Sequence, residues 1–475
     1  MEFYTYTHNM FAQITASGKF LRRGILLGLL CFVCCHFKVY AVKDARADSL
    51  KKVLETAKDT DKAKILYQLA AEYLGSDAER SKHYAQSALD LSRQLGFKKG
   101  EAKALAALGL ANYYQGKSTE AVYFLKSAFE IYKRISDLKG CASSSANIGM
   151  VYHDEGEFNQ ATTYYIQGRT FAEKGGEKII LGNILNNLGL NYHDKGDYLN
   201  ALDYSLKALH IREGLNNKRD EAGTLGNIGM IYKDLRKFDL GIHYHQMALE
   251  LYKGSNDLMG SANSYTNIAS VYIDEKEFDK ALPELSNALS LYKEIRSKKG
   301  LAKCYNNIGL LWENKGDLVK ASAYYEDALK LKEEIGDKPG MFNTLINLGE
   351  LMIKESNYKS ALDYANRGLN LAKEMNSLTQ QKECYVLFSE VYRLKHDFET
   401  ALKYYTLYSQ IKDSIFNSES SRDMATMQAQ YDNDTKEREI ELQKLRHTSD
   451  EAELKKKDLQ RNALIAGIVL ILILS

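Results

Sequence analysis

Six asparagines recur at a spacing of 40 residues: Asn147, Asn187, Asn227, Asn267, Asn307 and Asn347. Each stands two places before a Gly or Ala, as in NIGMVYHDEGEF from Asn147 and NIGLLWENKGDL from Asn307. The surrounding apolar spacing is that of a helix. There Asn costs ~0.6 kcal/mol per position against Ala, so six of them forgo ~3–4 kcal/mol. A carboxamide offers a donor and an acceptor together and can pair with a peptide unit of any sequence. A ladder of such groups would hold an extended peptide by its backbone, leaving specificity to neighbours such as Asn183, Asn263 and Asn343. Alternatively, each Asn bridges adjacent repeats and satisfies a buried backbone group. The sequence leaves both readings open.

A second ladder, Asp154, Asp194, Asp234 and Asp274, follows five residues after the Gly or Ala. Carboxylates near a helix C-terminus oppose the macrodipole by ~0.3–1 kcal/mol each. They could receive a basic ligand group, but an Asp before a Gly turn more often shapes that turn, and this reading is preferred. His153 and His193 stand beside two of them, with no third ligand to suggest a zinc site. No H-E-x-x-H, phosphate-binding loop, C-x-x-C pair or G-x-S-x-G elbow is present. The chain therefore reads as a non-enzyme with no catalytic residue, metal or cofactor.

The elements that must position these side chains are written in small residues. Gly109, Gly149, Gly189, Gly229, Gly309 and Gly349 keep the 40-residue period, with Ala269 in the remaining slot. Twelve residues on come Ala121, Ala161, Ala201, Ala281, Ala321, Ala361 and Ala401, with Gly241 between them. Large residues such as Tyr152, Tyr192, Tyr232, Tyr272 and Trp312 fill the places between. Small residues let two helices approach closely, and aromatics fill the space around them. A mid-helix Gly costs ~1 kcal/mol against Ala, so its recurrence implies that a side chain there would clash.

The pattern I/L-G-x-x-Y, then A-x-x-x-Y/F, then A resembles the tetratricopeptide repeat, in a 40-residue variant similar to Pins/LGN and kinesin light-chain repeats. The resemblance implies an all-α fold, a right-handed superhelix (α-solenoid) of about nine helix-turn-helix units. It covers 61–412, with markers from Leu69 to Ser389 and a capping helix within 42–60. It also implies that the Asn ladder faces the concave surface, where related repeats hydrogen-bond an extended peptide. Within each unit a turn such as DKGD, Asp194 to Asp197, separates the two helices, and Pro283 is expected near the start of its second helix.

The chain has 475 residues, 45% of them hydrophobic, and a formal net charge of +2. That near-neutral balance argues against a nucleic-acid partner. Lys19, Arg22 and Arg23 precede the apolar run GILLGLLCFVCCHF, and VYA ends at Ala41. This order marks 1–41 as a signal cleaved after Ala41, or as an uncleaved anchor. Beyond it, Cys141, Cys304 and Cys384 are too scattered for a disulfide framework and read as packing residues.

After the array, 413–462 is charged. Its thin stripe of Met424, Tyr431, Leu442, Leu445, Ala452 and Leu459 suggests a long helix, either solvated alone or dimerising within 424–461. At 463–475, ALIAGIVLILILS is an apolar run about 18 Å long as helix, against a hydrocarbon core of roughly 30 Å, and reads as an incomplete transmembrane helix. Signal, array, charged helix and apolar run in this order resemble the extracytoplasmic input half of bacterial membrane sensor histidine kinases and of related membrane-bound transcription regulators. That resemblance implies a periplasmic, membrane-anchored module that binds a protein or peptide for signal transduction. The alternatives are an exported scaffold that does not signal, or a fragment of a kinase or regulator whose output domain is missing. The basic flank KKKDLQR, Lys455 to Arg461, by itself favours the cytoplasmic side for that end of the apolar run.

Overall fold

The structure, a computed structural model, describes residues 46–414. The predicted signal or anchor at 1–41, all but the first two residues of 413–462, and the apolar run at 463–475 lie outside the described residues. Within 46–414 there are nineteen helices and no strand. None of the described helices is long and apolar enough to cross a membrane. The predicted cap is a helix at 46–56.

A rhythm of 20 residues underlies the 40-residue repeat. From Ala78 onward, successive helices begin 20 residues apart: Ala78–Gln94, Lys98–Tyr114, Ser118–Arg134, Leu138–Asp154 and so on to Leu378–Leu394. Helices of 17 or 18 residues alternate with turns of two or three residues, and the second helix of each repeat buries a narrower stripe than the first. In Tyr198–Gly214 the buried side chains are Ala201, Ser205, Ala208, Leu209 and Arg212, one stripe at helical spacing.

The turns explain this regularity. Asp197 N–H donates to Tyr192 O at 2.9 Å and Gly196 N–H to His193 O at 2.8 Å, the paired bonds of a Schellman cap. The next helix starts at once, with the Asp197 carboxylate accepting from Asn200 N–H. The cap needs a left-handed residue, and one recurs every 20 positions from Gly96 to His396. Many are not Gly, including Arg236, Lys276 and Arg296. Left-handed backbone costs an ordinary L-residue roughly 1–2 kcal/mol, partly offset by the larger unfolded-state entropy of Gly. Lys276→Gly is therefore expected to raise stability by about 0.5–1 kcal/mol, read as a higher urea midpoint. A lower midpoint would show that the Lys276 side chain supplies more than this backbone costs.

The chain falls into two compact units that divide after Asn216. In the first, 46–216, Ala161, Tyr165, Ile184, Leu185 and Leu188 form part of one buried cluster. In the second, which runs on from Asn217, Phe342, Leu345, Leu348, Leu387 and Phe388 do the same. The small residues work as the spacing requires. A Cβ on Gly149 would lie 2.7 Å from the Tyr165 ring, and one on Gly309 would lie 2.7 Å from that of Tyr325. Stacked tyrosines repeat beside them, Tyr192–Tyr204 at 5.3 Å and Tyr232–Tyr244 at 5.3 Å between ring centroids. Cys141, Cys304 and Cys384 are buried free thiols, and burial pushes the latter two up to about 12.

One placement differs from expectation. Pro283 lies in the second turn of Phe278–Glu294, past the positions whose N–H groups have no helical partner. Its ring removes one bond inside that helix. The site is on the exposed side, where water can reach the freed carbonyl.

Candidate functional site

The first helix of each repeat carries the predicted amides. Asn147, Asn187, Asn227, Asn267, Asn307 and Asn347 are all half-buried, while Asn183, Asn263 and Asn343, one turn earlier, are exposed. Some are held inside the protein. Asn187 bonds the Tyr165 hydroxyl of the preceding helix, Asn267 Oδ1 accepts from Lys303 Nζ at 3.3 Å, and Asn227 is engaged as well. Asn183 Oδ1 accepts from Arg212 at 2.9 Å and Asn263 Oδ1 from the Tyr292 hydroxyl at 2.7 Å. Among the described residues, the side chains of Asn147, Asn307, Asn343 and Asn347 make no hydrogen bond with the protein.

In the second unit the first helices Leu258–Asp274, Lys298–Asn314 and Lys338–Lys354 border a cleft of about 480 Å³. It brings together Asn263, Asn307 and Asn343 from the predicted set. The other six predicted residues do not line it. Asn306 was missed by sequence reasoning; it also lines the cleft, and its Oδ1 accepts from Thr344 Oγ1 at 3.2 Å. Lys299, Lys303, Lys332 and Asp337 complete the polar lining. Their signal in the sequence was a departure from pattern. Lys303 stands in the register of Asn263 and Asn343, and Lys332 in that of Tyr252 and Tyr292.

A larger opening of about 660 Å³ in the first unit differs in character. It holds none of the predicted asparagines, and its charges are matched locally, Lys207 with Asp203 at 2.6 Å and Arg169 with Glu173 at 3.5 Å. Amides without protein partners gather in the smaller cleft, which is therefore the better candidate for a ligand.

The Asp ladder corrects the turn reading. Caps come from residues three places later, such as Asp197 and Asp317. Three of the four ladder carboxylates, Asp154, Asp194 and Asp274, instead reach the preceding repeat. The Tyr113 hydroxyl donates to Asp154, His153 Nε2 lies 3.0 Å from Asp194, and Lys233 lies 3.1 Å from Asp274. Glu313 and Lys354 form the same link with the charges reversed, at 2.7 Å. His153 is held at both ring nitrogens, by Asp154 at 3.0 Å and Asp194 at 3.0 Å, which raises its pKa from 6.5 to about 9. The His153 and His193 contacts hold Asp194 below the usual carboxylate range. In the second unit, His245 is buried beneath Gly229. Desolvation first, then Lys233 and Lys303, lowers its pKa to about 4. Among the described residues no group of three His, Cys, Asp or Glu could hold a metal ion.

The family model for the tetratricopeptide repeat matches residues 140–214, 220–294, 260–334 and 302–374. These are tetratricopeptide repeats. No curated protein matches the sequence. Among solved structures, the apo quorum sensor NprR from B. thuringiensis is 16% identical, with a TM-score of 0.51 over 74% of this chain and 99% of that one. The Rap conjugation gene regulator of plasmid pLS20, solved with the Phr* peptide, is 20% identical, covering 58% of this chain and 76% of that one at a TM-score of 0.44. A signal transduction ATPase from Pyrococcus horikoshii with a tetratricopeptide repeat sensor is 15% identical, with a TM-score of 0.49 over 73% of this chain and 55% of that one. At such identities the NprR likeness speaks to the fold alone. The Gly of each pair packs beneath the second helix, as at Gly149 and Gly309, while the half-buried Asn two residues before it meets a neighbouring helix at Asn187 and Asn267.

Proposed function

We propose that the second unit's tetratricopeptide repeats bind an extended peptide or protein segment in the cleft bordered by Asn263, Asn307 and Asn343. One observation carries this reading. Asn307 and Asn343 come from successive repeats into one cleft, and their carboxamides have no protein partner among the described residues. Such amides match the alternating donors and acceptors of a peptide backbone. Asn187, tied to Tyr165, is a poorer probe, because its loss would disturb packing as well.

The test is the double variant Asn307→Ala with Asn343→Ala, titrated with fluorescent peptide pools. Binding is expected to weaken at least 10-fold with the melting temperature held within a degree or two. Equal losses of affinity and melting temperature would identify these residues as structural.

Anchoring and signalling belong to the same proposal and rest on the sequence. The segment 1–41 would direct export, 463–475 would enter the membrane, and 424–461 would pair two copies and relay ligand binding. The intact mass of the native protein extracted from membranes tests it. A mass larger by a whole domain would point to a sensor with an output part, whereas recovery from the soluble fraction would sink the anchored reading.

A further inference from the structure

The last described helix of the array, 398–414, carries an uncovered apolar stripe. Phe398, Leu402 and Tyr405 follow one another at helical spacing and are 63%, 66% and 57% exposed. Earlier units bury the middle of this face. The places equivalent to Tyr405 hold Leu125, Tyr165, His245, Leu285, Tyr325 and Ala365, none more than 2% exposed. The first helix of the following unit covers them: Leu285 shares a buried cluster with Ile308 and Leu311 of Lys298–Asn314. Val386, on the preceding first helix, is exposed as well. Its equivalent, Asn306, meets Thr344 of the following first helix, 38 residues on. The outer end of a repeat array needs a polar face to stay soluble. This end is apolar, and among the described residues nothing lies over it.

The sequence beyond keeps the phase of the repeat for one helix more. Ile415 and Asn417 stand where Ile295 and Ser297, Ile335 and Asp337, and Met375 and Ser377 make the turn and cap the next first helix. Met424, Ala425, Ala429 and Tyr431 then fall on the places of Thr344, Leu345, Gly349 and Leu351, all buried in Lys338–Lys354. Gln428, in the place of Leu348, departs from the pattern. The link across 41 residues recurs too. It joins His153 to Asp194, Lys233 to Asp274 and Glu313 to Lys354, and the same interval sets Arg393 against Asp434. Asp432 takes the place of Tyr232, whose ring stacks on the second helix of its own unit. That loss suits a helix with no such partner.

We propose that 418–434 forms one further first helix and closes the open end of the array, seated on Val386, Phe398, Leu402 and Tyr405. Val386 would then meet Met424, as Asn306 meets Thr344, and Phe398 would lie beside Tyr431, as Phe158 O lies 3.0 Å from the Asn191 amide nitrogen. The seat is independent of the peptide reading. It takes Met424 and Tyr431 out of the pairing seam and leaves Leu442, Leu445, Ala452 and Leu459 to it. The charged segment would start from a helix held by the last unit, so a shift in that unit would reach it without a loose joint between.

The test uses the full chain with Val386→Cys and Met424→Cys, mildly oxidised and mapped by mass spectrometry. A disulfide joining the two within one chain is expected, whereas Val386→Cys with Leu442→Cys should give none. Trypsin adds a readout on the chain without engineered cysteines: cleavage after Arg422 should be about 10-fold or more slower than after Lys436 and Arg438. Tyr405→Glu puts a charge beneath the seated helix and should bring these rates together while the array keeps its melting transition. A disulfide between two chains would show that a second copy covers the face, and would overturn the proposal. Equal cleavage after Arg422 and Lys436, with no disulfide between 386 and 424, would overturn it too, because the face would then be open.

Discussion

Gly309→Val is expected to destabilise the second unit by about 3 kcal/mol, and Gly309→Ala by about 1–2 kcal/mol. Ala by itself would favour the helix by ~1 kcal/mol, so a net loss must come from packing. The cause is Tyr325, fully buried, whose ring would lie 2.7 Å from the new Cβ. That ring has little room to move, because its hydroxyl donates to Glu313 Oε2 at 2.6 Å. The preceding repeat contains its own solution, with Ala269 and Leu285 at the same two positions in one buried cluster. Tyr325→Leu alone should cost about 2–3 kcal/mol through a cavity and the lost hydrogen bond. Combined with Gly309→Ala, it should cost about 2 kcal/mol less than the sum of the single changes. Urea unfolding of the four proteins closes the cycle. Strict additivity would mean that Tyr325 does not dictate the glycine.

The second large effect is a stability profile limited by different histidines in the two units. In the first unit His153 has its pKa raised from 6.5 to about 9 by Asp154 and Asp194. A folded value above the unfolded one means that its contribution is complete below about pH 6.5 and is lost as pH rises through about 9. A shift of that size corresponds to up to about 3 kcal/mol. Its aspartate partners are half in solvent, which reduces this to about 1–2 kcal/mol. In the second unit His245 behaves oppositely. Its folded value, lowered to about 4, lies below the unfolded one. Protons therefore favour the unfolded chain, and stability falls as pH drops from about 6.5 toward 4, by up to about 3 kcal/mol.

His153→Gln should flatten the alkaline limb and leave the acid limb alone. His245→Tyr should flatten the acid limb, because Tyr165 and Tyr325 already fill the equivalent space beneath Gly149 and Gly309. Melting temperatures from pH 4.5 to 10 would show this. Parallel profiles for wild type and both variants would remove the histidines from the account.

Much of this molecule was legible in one dimension. A repeat must place the same contact in every unit, so Gly149, Gly189 and Gly309, with Ala161, Ala201 and Ala321, declare a pair of closely packed helices at fixed phase. The three cysteines were readable as packing residues for a different reason, because they are too scattered for a disulfide framework. The candidate site was only partly legible. A period shows which positions share a face, and that was enough to name Asn263, Asn307 and Asn343 together. It does not show which amides find partners. Tertiary packing decided that, because Tyr165, Tyr292 and Arg212 arrive from neighbouring helices to hold Asn187, Asn263 and Asn183.

The Asp ladder was misread for a related cause. A turn is visible as local sequence, but the 41-residue reach from His153 to Asp194 exists only once two repeats are stacked. What the sequence alone determined was the repeating frame, because helix spacing and close contact are set by residue size at regular intervals. What tertiary structure alone decided was which departures from that frame end up buried. Lys303 and Lys332 are ordinary surface-type residues until folding buries one of them without a counter-charge beside the other, since burial and pairing belong to the stacked helices and to no single segment.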